Sequence, residues 1–206
     1  MPLVVHGHPF SSYCQKVIVA FHETSTPFQW RRVEDAAGFE ELRRMWPIGL
    51  MPVVTDGALM LIESSIIIEH VAPELVPSLE VRFLDRFFDN YVMTPMQKIV
   101  GDFLRPETER DPCGVSDAKA RLDVSYGWLN ERLMGREWAS GGNFTMADCA
   151  AAPSLFYADW VQPIDGRFAE TKAYRARLLA RPSFARAVEE ARPFRKFFPP
   201  GAPDRD

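Results

Sequence analysis

Two adjacent serines, Ser11 and Ser12, lie where an apolar segment gives way to a helical pattern near the N-terminus. Leu3–Val5 has the pattern of a short buried strand, and Tyr13–Phe21 has that of a buried helix. Serine is a favoured N-cap because its side-chain oxygen accepts an unpaired N–H of the first turn. A helix N-terminus also favours an anion. The hydroxyls are therefore candidates for stabilising a thiolate or a carboxylate, beside the plain capping that would explain one of them.

Composition indicates an ordinary globular protein. The chain has 206 residues, of which 47% are hydrophobic and 25% charged, with a net charge of −4, enough for one domain or two small ones. Basic residues form no block, which argues against a nucleic-acid partner. The cysteines, Cys14, Cys113 and Cys149, are scattered, which favours a reducing compartment. The chain has no signal-peptide pattern and no apolar run near the ~20 residues of a membrane span, so we expect a cytoplasmic protein without a membrane partner.

The first 75 residues alternate between strand and helix patterns. After the first helix, the predicted elements are a strand over 28–33, a helix over 35–45, a hairpin over 53–62 and a helix over 64–71. Asp56-Gly57 is a strong hairpin-turn signal, and Ser64 is the expected cap of the last helix. The order βαβαββα predicts an α+β domain with a mixed four-stranded sheet.

Strand patterns stop after a proline-containing segment, in which we place a linker at residues 76–80. The predicted helices beyond it are one over 81–105 with a kink at Pro95, one capped by Ser116, one after Thr145–Asp148, and two near 170–180 and 183–191. The sequence Thr-x-x-Asp resembles a capping box. We therefore predict two domains, an α+β domain over 1–75 and an all-α domain over 81–206.

Four segments together resemble the cytosolic glutathione S-transferases. They are PFSSYCQKV after the first strand, WPIGLMPVV before the hairpin, ESSIIIEH at the third helix, and FTMADC in the helical half. The first segment is similar to the serine-type N-terminal motif of the bacterial, zeta and phi classes. The resemblance implies a thioredoxin-like N-terminal domain, an all-helical C-terminal domain and a homodimer, with glutathione as co-substrate and no metal.

The resemblance also assigns roles to individual residues. Ser11 corresponds to the hydroxyl that donates a hydrogen bond to the glutathione sulfur and favours the thiolate, with Ser12 as the alternative donor. Met51-Pro52 resembles the family's cis-proline, where the backbone of Met51 pairs with the cysteinyl part of glutathione. Glu63 and Ser64 lie where the family binds the γ-glutamyl group, with Glu63 on the ammonium and Ser64 on the carboxylate.

Two features distinguish this chain from related proteins. Glutaredoxin-like proteins have C-P-Y-C at the first turn, whereas this chain has Ser11-Ser12-Tyr13-Cys14, so we expect Cys14 to be a small buried hydrophobe and not a redox nucleophile. The family segment N-P-x-G-K-V-P has a lysine that reaches a carboxylate of glutathione, and Leu50 occupies its position here. Arg43 and Arg44 are the nearest basic residues that would replace it.

The resemblance implies an enzyme that conjugates glutathione to a small hydrophobic electrophile. We expect the electrophile between the domains, beside aromatic and methionine side chains, namely Phe10, Tyr91, Met93, Met96 and Trp160. The aromatic segment 194–198 is expected to pack in the core or to cover this pocket. Two alternatives stay open: a glutathione-dependent isomerase similar to maleylacetoacetate isomerase, and a non-catalytic binding or regulatory protein on the same fold.

Overall fold

A mixed four-stranded sheet organises the first part of the computed structural model, which describes residues 2–206. Its central strand β1 (Leu3–Gly7) runs parallel to β2 (Phe28–Arg32) and antiparallel to β3 (Val53–Asp56). Strand β4 (Leu59–Ile62) pairs with β3 across the Asp56-Gly57 turn, which gives the order β2-β1-β3-β4. The predicted mixed sheet is confirmed.

Three helices accompany the sheet: α1 (Ser12–Glu23), α2 (Ala36–Met45) and α3 (Ser64–Val71). Helix α1 is buried on every side from Cys14 to Phe21, as expected for a helix that lies between two layers. Gly7 permits this close approach, because a Cβ at this position would lie 2.5 Å from the Cys14 sulfur. The end of β1 and the start of α1 are thereby held against each other.

The second part of the chain is helical, and α7 lies at its centre. The helices are α4 (Leu79–Phe87), α5 (Thr94–Phe103), α6 (Pro112–Arg132), α7 (Met146–Val161), α8 (Ala169–Ala180) and α9 (Pro182–Ala191). Helix α7 is rich in alanine and packs against α1, α4, α5 and α8, so it joins the helical layer to the sheet layer. Within residues 2–206, no helix is long and apolar enough to cross a membrane.

Two predicted helix boundaries were wrong. The single helix expected over 81–105 is divided by a π-helical segment, Phe88–Met93, that ends just before Thr94-Pro95. Proline lacks the N–H that would continue the ladder, and a π turn ahead of it takes up the change in register. Helix α6 begins at Pro112 rather than near Ser116. The Asp111 carboxylate accepts the Gly114 N–H at 2.8 Å, and an Asp-Pro pair combines a good N-cap with a good first residue.

The predicted capping box at the start of α7 is confirmed. The buried Asp148 carboxylate accepts the Thr145 N–H at 2.8 Å, the Ala139 N–H at 2.9 Å and the Tyr174 hydroxyl at 2.5 Å. Burial raises the pKa of Asp148, and these donors offset part of that effect. One carboxylate therefore ties α7 to the preceding loop and to α8.

Replacing Asp148 with asparagine should lower the free energy of unfolding by about 3 kcal/mol, because a buried charged acceptor with several donors is lost. Denaturant unfolding followed by circular dichroism measures this change. Asp165→Asn is the matched control, since Asp165 is a partly exposed cap of one short turn, and it should cost about 1 kcal/mol or less. Equal losses in the two variants would contradict a central role for Asp148.

Candidate active site

A cavity of about 740 Å³ opens between the sheet and the helical layer. It is bounded by the turn after β1, the loop before β3, the start of α3, segments of α4 and α5, and the chain near residue 198. The predicted site residues that line this cavity are Phe10, Ser11, Ser12, Met51, Pro52, Glu63, Ser64 and Met96. Residues distant in sequence thus share one space whose size suits a tripeptide and a second small molecule.

Ser11 is the N-cap of α1 and faces the cavity. Its oxygen accepts the Cys14 N–H at 3.4 Å, so the hydroxyl hydrogen remains available to donate to another group. Ser12 is the first helical residue beside it and also lines the cavity. An anion in front of this turn would meet a hydroxyl donor and the positive end of a helix dipole.

The position of this turn is maintained from the helical layer. The buried Gln15 amide donates to the Pro9 carbonyl at 3.0 Å and to the Tyr157 hydroxyl at 2.9 Å. The Tyr157 hydroxyl in turn lies 3.4 Å from the Phe10 carbonyl. Helix α7, which carries Tyr157, therefore orients the residues just before Ser11.

Cys14 is completely buried one turn into α1. Burial raises the pKa of its thiol to about 11, and the nearby Ser11 hydroxyl offsets this only in part. A thiol of this kind is protonated at neutral pH and is not accessible to a disulfide. Its environment is that of a packed core residue.

The loop before β3 presents backbone groups to the cavity. The Met51–Pro52 peptide bond is cis, as predicted. The Met51 N–H and C=O make no hydrogen bond to any other described residue, although neighbouring backbone groups are paired in β3. An extended peptide lying along Met51 would find one free donor and one free acceptor.

The start of α3 has two unusual features. Glu63 has φ of +71°, a conformation that costs about 1–3 kcal/mol for a residue other than glycine and that persists only when its surroundings require it. The Glu63 side chain does not cap the helix, and the Ser64 hydroxyl has no hydrogen-bond partner among the described residues. A carboxylate, a hydroxyl and the first N–H groups of α3 are therefore directed to one end of the cavity.

A buried ion cluster, which the sequence analysis did not predict, lies behind this end. Lys16, with an exposed fraction of 1%, bonds Asp85 at 2.6 Å, Asp89 at 2.8 Å and Ser65 at 3.1 Å. Burial opposes ionisation of Asp85, but Lys16 lowers the Asp85 pKa below its ordinary value. The sequence signal for this cluster was a lysine inside an apolar helix, together with two aspartates four residues apart, Asp85 at the end of α4 and Asp89 in the π-helical segment that follows.

Two members of the cluster reach the cavity itself. Asp89 is buried, yet one of its carboxylate oxygens, Oδ1, lacks a hydrogen-bond partner, and the residue lines the cavity. Arg86 pairs with Asp85 and Asp89 at 2.7 Å and donates to Ser65, and it also lines the cavity. Opposite charges therefore lie next to Glu63 and Ser64, an arrangement that suits a zwitterionic head group.

Of the five side chains predicted for the electrophile pocket, two line the cavity and three do not. Tyr91, Met93 and Trp160 do not line the cavity. Tyr91 and Met93 belong to the π-helical segment, where the side-chain spacing departs from 3.6 residues per turn, so the helical pattern misplaced both. Tyr91 is 45% exposed and packs on Phe87, whereas Met93 is buried in the core. Trp160 lies behind the wall against Phe198, with ring centroids 5.0 Å apart.

The apolar wall beside Ser11 comes from three parts of the chain. The side chains from the helical half that line it together with Phe10 are Met96, Val100, Leu104, Tyr157, Phe197 and Phe198. Phe198 packs edge-on to Phe10 and stacks on Tyr157. The aromatic segment near the end of the chain is thus both core and cavity wall, a role that short-range periodicity does not predict.

The end of the cavity beyond Met51 is apolar. Leu50 is 63% exposed and lines the cavity together with Trp46 and Ile62. The Arg43 side chain lies against Gly49, within 3.4 Å of where a Cβ would be, and neither Arg43 nor Arg44 lines the cavity. The position where the family carries a lysine thus has no charge in its place.

Comparisons with known proteins agree with this geometry. The family model for the glutathione S-transferase N-terminal domain matches residues 5–74, and that for the C-terminal domain matches residues 107–177. The chain belongs to the glutathione S-transferase superfamily. The predicted superfamily and fold, a thioredoxin-like domain followed by a helical domain, are therefore confirmed.

Individual relatives are distant but cover nearly the whole chain. Glutathione S-transferase PARB of Nicotiana tabacum is 23% identical, over 92% of this chain and 99% of its own. A probable maleylacetoacetate isomerase of Vibrio cholerae is 25% identical, over 94% and 98%. The crystal structure of a Methylobacillus flagellatus glutathione S-transferase with glutathione bound has a TM-score of 0.80 at 22% identity, over 90% and 98%.

Lys16→Met should lower the free energy of unfolding by about 3–5 kcal/mol, because two buried carboxylates lose their shared cation. The matched control is Lys98→Met. The Lys98–Asp111 pair is equally short at 2.5 Å but partly exposed, so its loss should cost about 1 kcal/mol or less. Chemical denaturation of both variants tests the difference, and similar costs would show that the buried cluster is not a structural centre.

Proposed function

We propose that this protein conjugates glutathione to neutral, hydrophobic electrophiles. The observation that carries the proposal is the position of the Ser11 hydroxyl, between a polar end of the cavity and an apolar wall. The polar end offers groups for a peptide-like thiol, and the wall offers none for a charged partner. Membership of the glutathione S-transferase superfamily supports glutathione as the thiol.

The chemistry follows from the groups around the turn. Ser11 donates a hydrogen bond to the glutathione sulfur and, with the α1 dipole, lowers the pKa of that thiol so that its proton is released to water. The sulfur then forms a bond to the electrophilic carbon, and the displaced electron pair leaves with the leaving group or moves onto a conjugated oxygen. Met51 holds the cysteinyl backbone, which keeps the sulfur in front of Ser11.

The nature of the wall restricts the electrophile. Around Phe10, Met96 and Phe198 the lining side chains are aromatic or aliphatic, apart from the exposed Gln97 and the hydroxyl of Tyr157. Among the described residues that line the cavity, Arg86 is the only basic one, and it is paired with aspartates at the opposite end. An uncharged, flat molecule gains most from such a surface.

A glutathione-dependent isomerase is the second candidate. Similarity to the probable maleylacetoacetate isomerase of Vibrio cholerae favours it, as does the Ser11-Ser12 turn. Its substrate class, however, is a dicarboxylate, and two carboxylates need cations or several donors that the apolar wall does not offer. Conjugation is therefore the better fit. A purely binding role, the third reading, would leave the free Ser11 hydroxyl donor without a use.

We also propose that the protein is a homodimer. Exposed apolar side chains lie at the sheet edge and on α3, namely Leu59, Met60 and Ile66, and on α4, namely Leu79 and Phe83. Apolar side chains clustered on two neighbouring faces are typical of an association surface. A two-fold pairing of the chain would cover the sheet edge of one protomer with α4 of its partner.

Ser11→Ala should reduce the rate of conjugation by about one to three orders of magnitude, as expected when a donor to a stabilised anion is removed. Stability should fall by only about 1 kcal/mol, the usual cost of a lost N-cap. Turnover of glutathione with a neutral aromatic electrophile, measured against pH, should show a raised pKa for the bound thiol.

Two further variants make this test specific. Ser12→Ala should retain most activity, and a loss confined to Ser12→Ala would transfer the donor role to Ser12. Cys14→Ala should keep conjugation, and no disulfide reductase activity should depend on Cys14, because its thiol is buried and protonated. Wild-type turnover in Ser11→Ala, or strong reductase activity that disappears with Cys14, would contradict the proposal.

Phe83→Glu should convert the dimer to a monomer, because it places a charge in an apolar interface. Ile48→Glu is the control, since Ile48 is at least as exposed but lies on the loop before β3, away from both faces. Light scattering after size-exclusion chromatography gives the mass. A monomeric wild type, or an unchanged dimer in Phe83→Glu, would argue against this interface.

A further inference from the structure

The charges that line the cavity are all at one end. Glu63, Arg86 and Asp89 lie around the start of α3, and the buried Lys16 supports them from behind. Arg86 is half-exposed and uses only Nε and Nη2 in its bonds to the described residues, so its Nη1 can still donate, whereas Asp89 Oδ1 is buried from solvent. An ammonium and a carboxylate on one carbon would pair with these groups.

Among the described residues, none that lines the other end of the cavity is charged. A tripeptide laid from Ser64 across Met51 spans roughly 10 Å, which brings its third residue beside residues 46–50. The side chains there that line the cavity, Trp46 and Leu50, supply no ionic group. The Arg43 side chain lies against Gly49 and does not line the cavity. A terminal carboxylate at this place would remain in water.

The difference in charge between the two ends of the cavity bears on which thiol the site accepts. The inference that follows rests on the proposed function. We infer that the site selects its thiol at the γ-glutamyl end alone, and that γ-glutamylcysteinyl thiols with an uncharged C-terminus are substrates as good as glutathione. The zwitterionic head group is recognised by Glu63, Ser64 and Arg86, and Asp89 supports Arg86 from behind. The thiol is positioned by Ser11 and Met51. The third residue of the peptide is held through shape and apolar contact with Leu50.

The energetics support this order of importance. The head group meets charged partners that line the cavity, Glu63 for the ammonium and Arg86 for the carboxylate, and charge-assisted hydrogen bonds are the stronger kind. A carboxylate beside a largely exposed leucine gains no bond and loses little water, so the presence or absence of its charge matters little. Neutralising the C-terminus therefore removes nothing that the protein recognises.

Three thiols distinguish recognition of the γ-glutamyl end from recognition of the C-terminal end, in calorimetric titration and in steady-state conjugation. They are glutathione, its C-terminal amide, and glutaryl-cysteinyl-glycine, which lacks the α-ammonium. For the wild-type protein, the amide should bind within about threefold of glutathione, whereas the glutaryl analogue should bind at least about tenfold more weakly. The turnover rate of bound thiol should be similar for glutathione and the amide.

Variants assign each difference to its residue. Leu50→Lys should strengthen the binding of glutathione by about five- to tenfold without strengthening the binding of the amide. Added salt should reduce this gain in affinity. Ile48→Lys is the matched control, because Ile48 is as exposed as Leu50 but does not line the cavity. It should leave the affinity for both thiols unchanged. Glu63→Gln should remove most of the discrimination against the glutaryl analogue, a readout that folding stability alone does not change.

The outcomes are distinguishable. Binding of the amide more than about tenfold weaker than glutathione would overturn the inference, and loss of that difference in Arg43→Ala would identify the arginine responsible. A glutaryl analogue that binds as well as glutathione would also overturn the inference, because it would show that the α-ammonium is not recognised. Failure of the wild-type protein to bind either glutathione or its amide would instead refute the proposed function itself.

Discussion

The structure depends on one buried cation. Lys16 of α1 lies between Asp85 and Asp89 of the helical layer, and all three side chains are almost entirely removed from water. Charges in such a place are tolerated only when each is paired, which restricts how the sheet layer and the helical layer can dock. Because Asp89 also lines the cavity, the same constraint sets the shape of the polar end of the site. Fold and site thus share one electrostatic centre.

Around this centre, several groups serve the structure and remain free for a ligand. Ser11 uses its oxygen as a cap and keeps its hydrogen. Met51 lies just before a paired strand but leaves its own N–H and C=O unpaired. Glu63 occupies a strained backbone conformation without capping the helix it precedes. A preorganised binding site requires unpaired hydrogen-bond donors and acceptors that a rigid backbone holds in position.

The two layers divide the chemistry between them. The sheet layer supplies the turn, the loop and the helix start that face the thiol, and the helical layer supplies the apolar wall and part of the charge. Tyr157 and Gln15 connect the two, since they bond each other and the backbone just before Ser11. A change in the packing of α7 would therefore alter the thiol site, although none of the residues that the superfamily resemblance assigns to glutathione lies on α7.

The sequence by itself determined the parts of the site that depend on local backbone geometry. Ser11 at a strand-to-helix turn, Met51-Pro52 before a strand and Glu63-Ser64 at a helix start are each specified within a few residues, as is the capping box. The mixed sheet was predicted from the order of the elements along the chain. The tertiary structure alone decided the rest. Lys16 and Asp89 are 73 residues apart, and the apolar wall joins Phe10 to residues near 100 and 198. Tyr91 and Met93 do not line the cavity, because they lie in a π-helical segment that breaks the 3.6-residue spacing on which helical patterns rely. Contacts of this kind follow from how whole elements pack, and no short window of sequence contains the information.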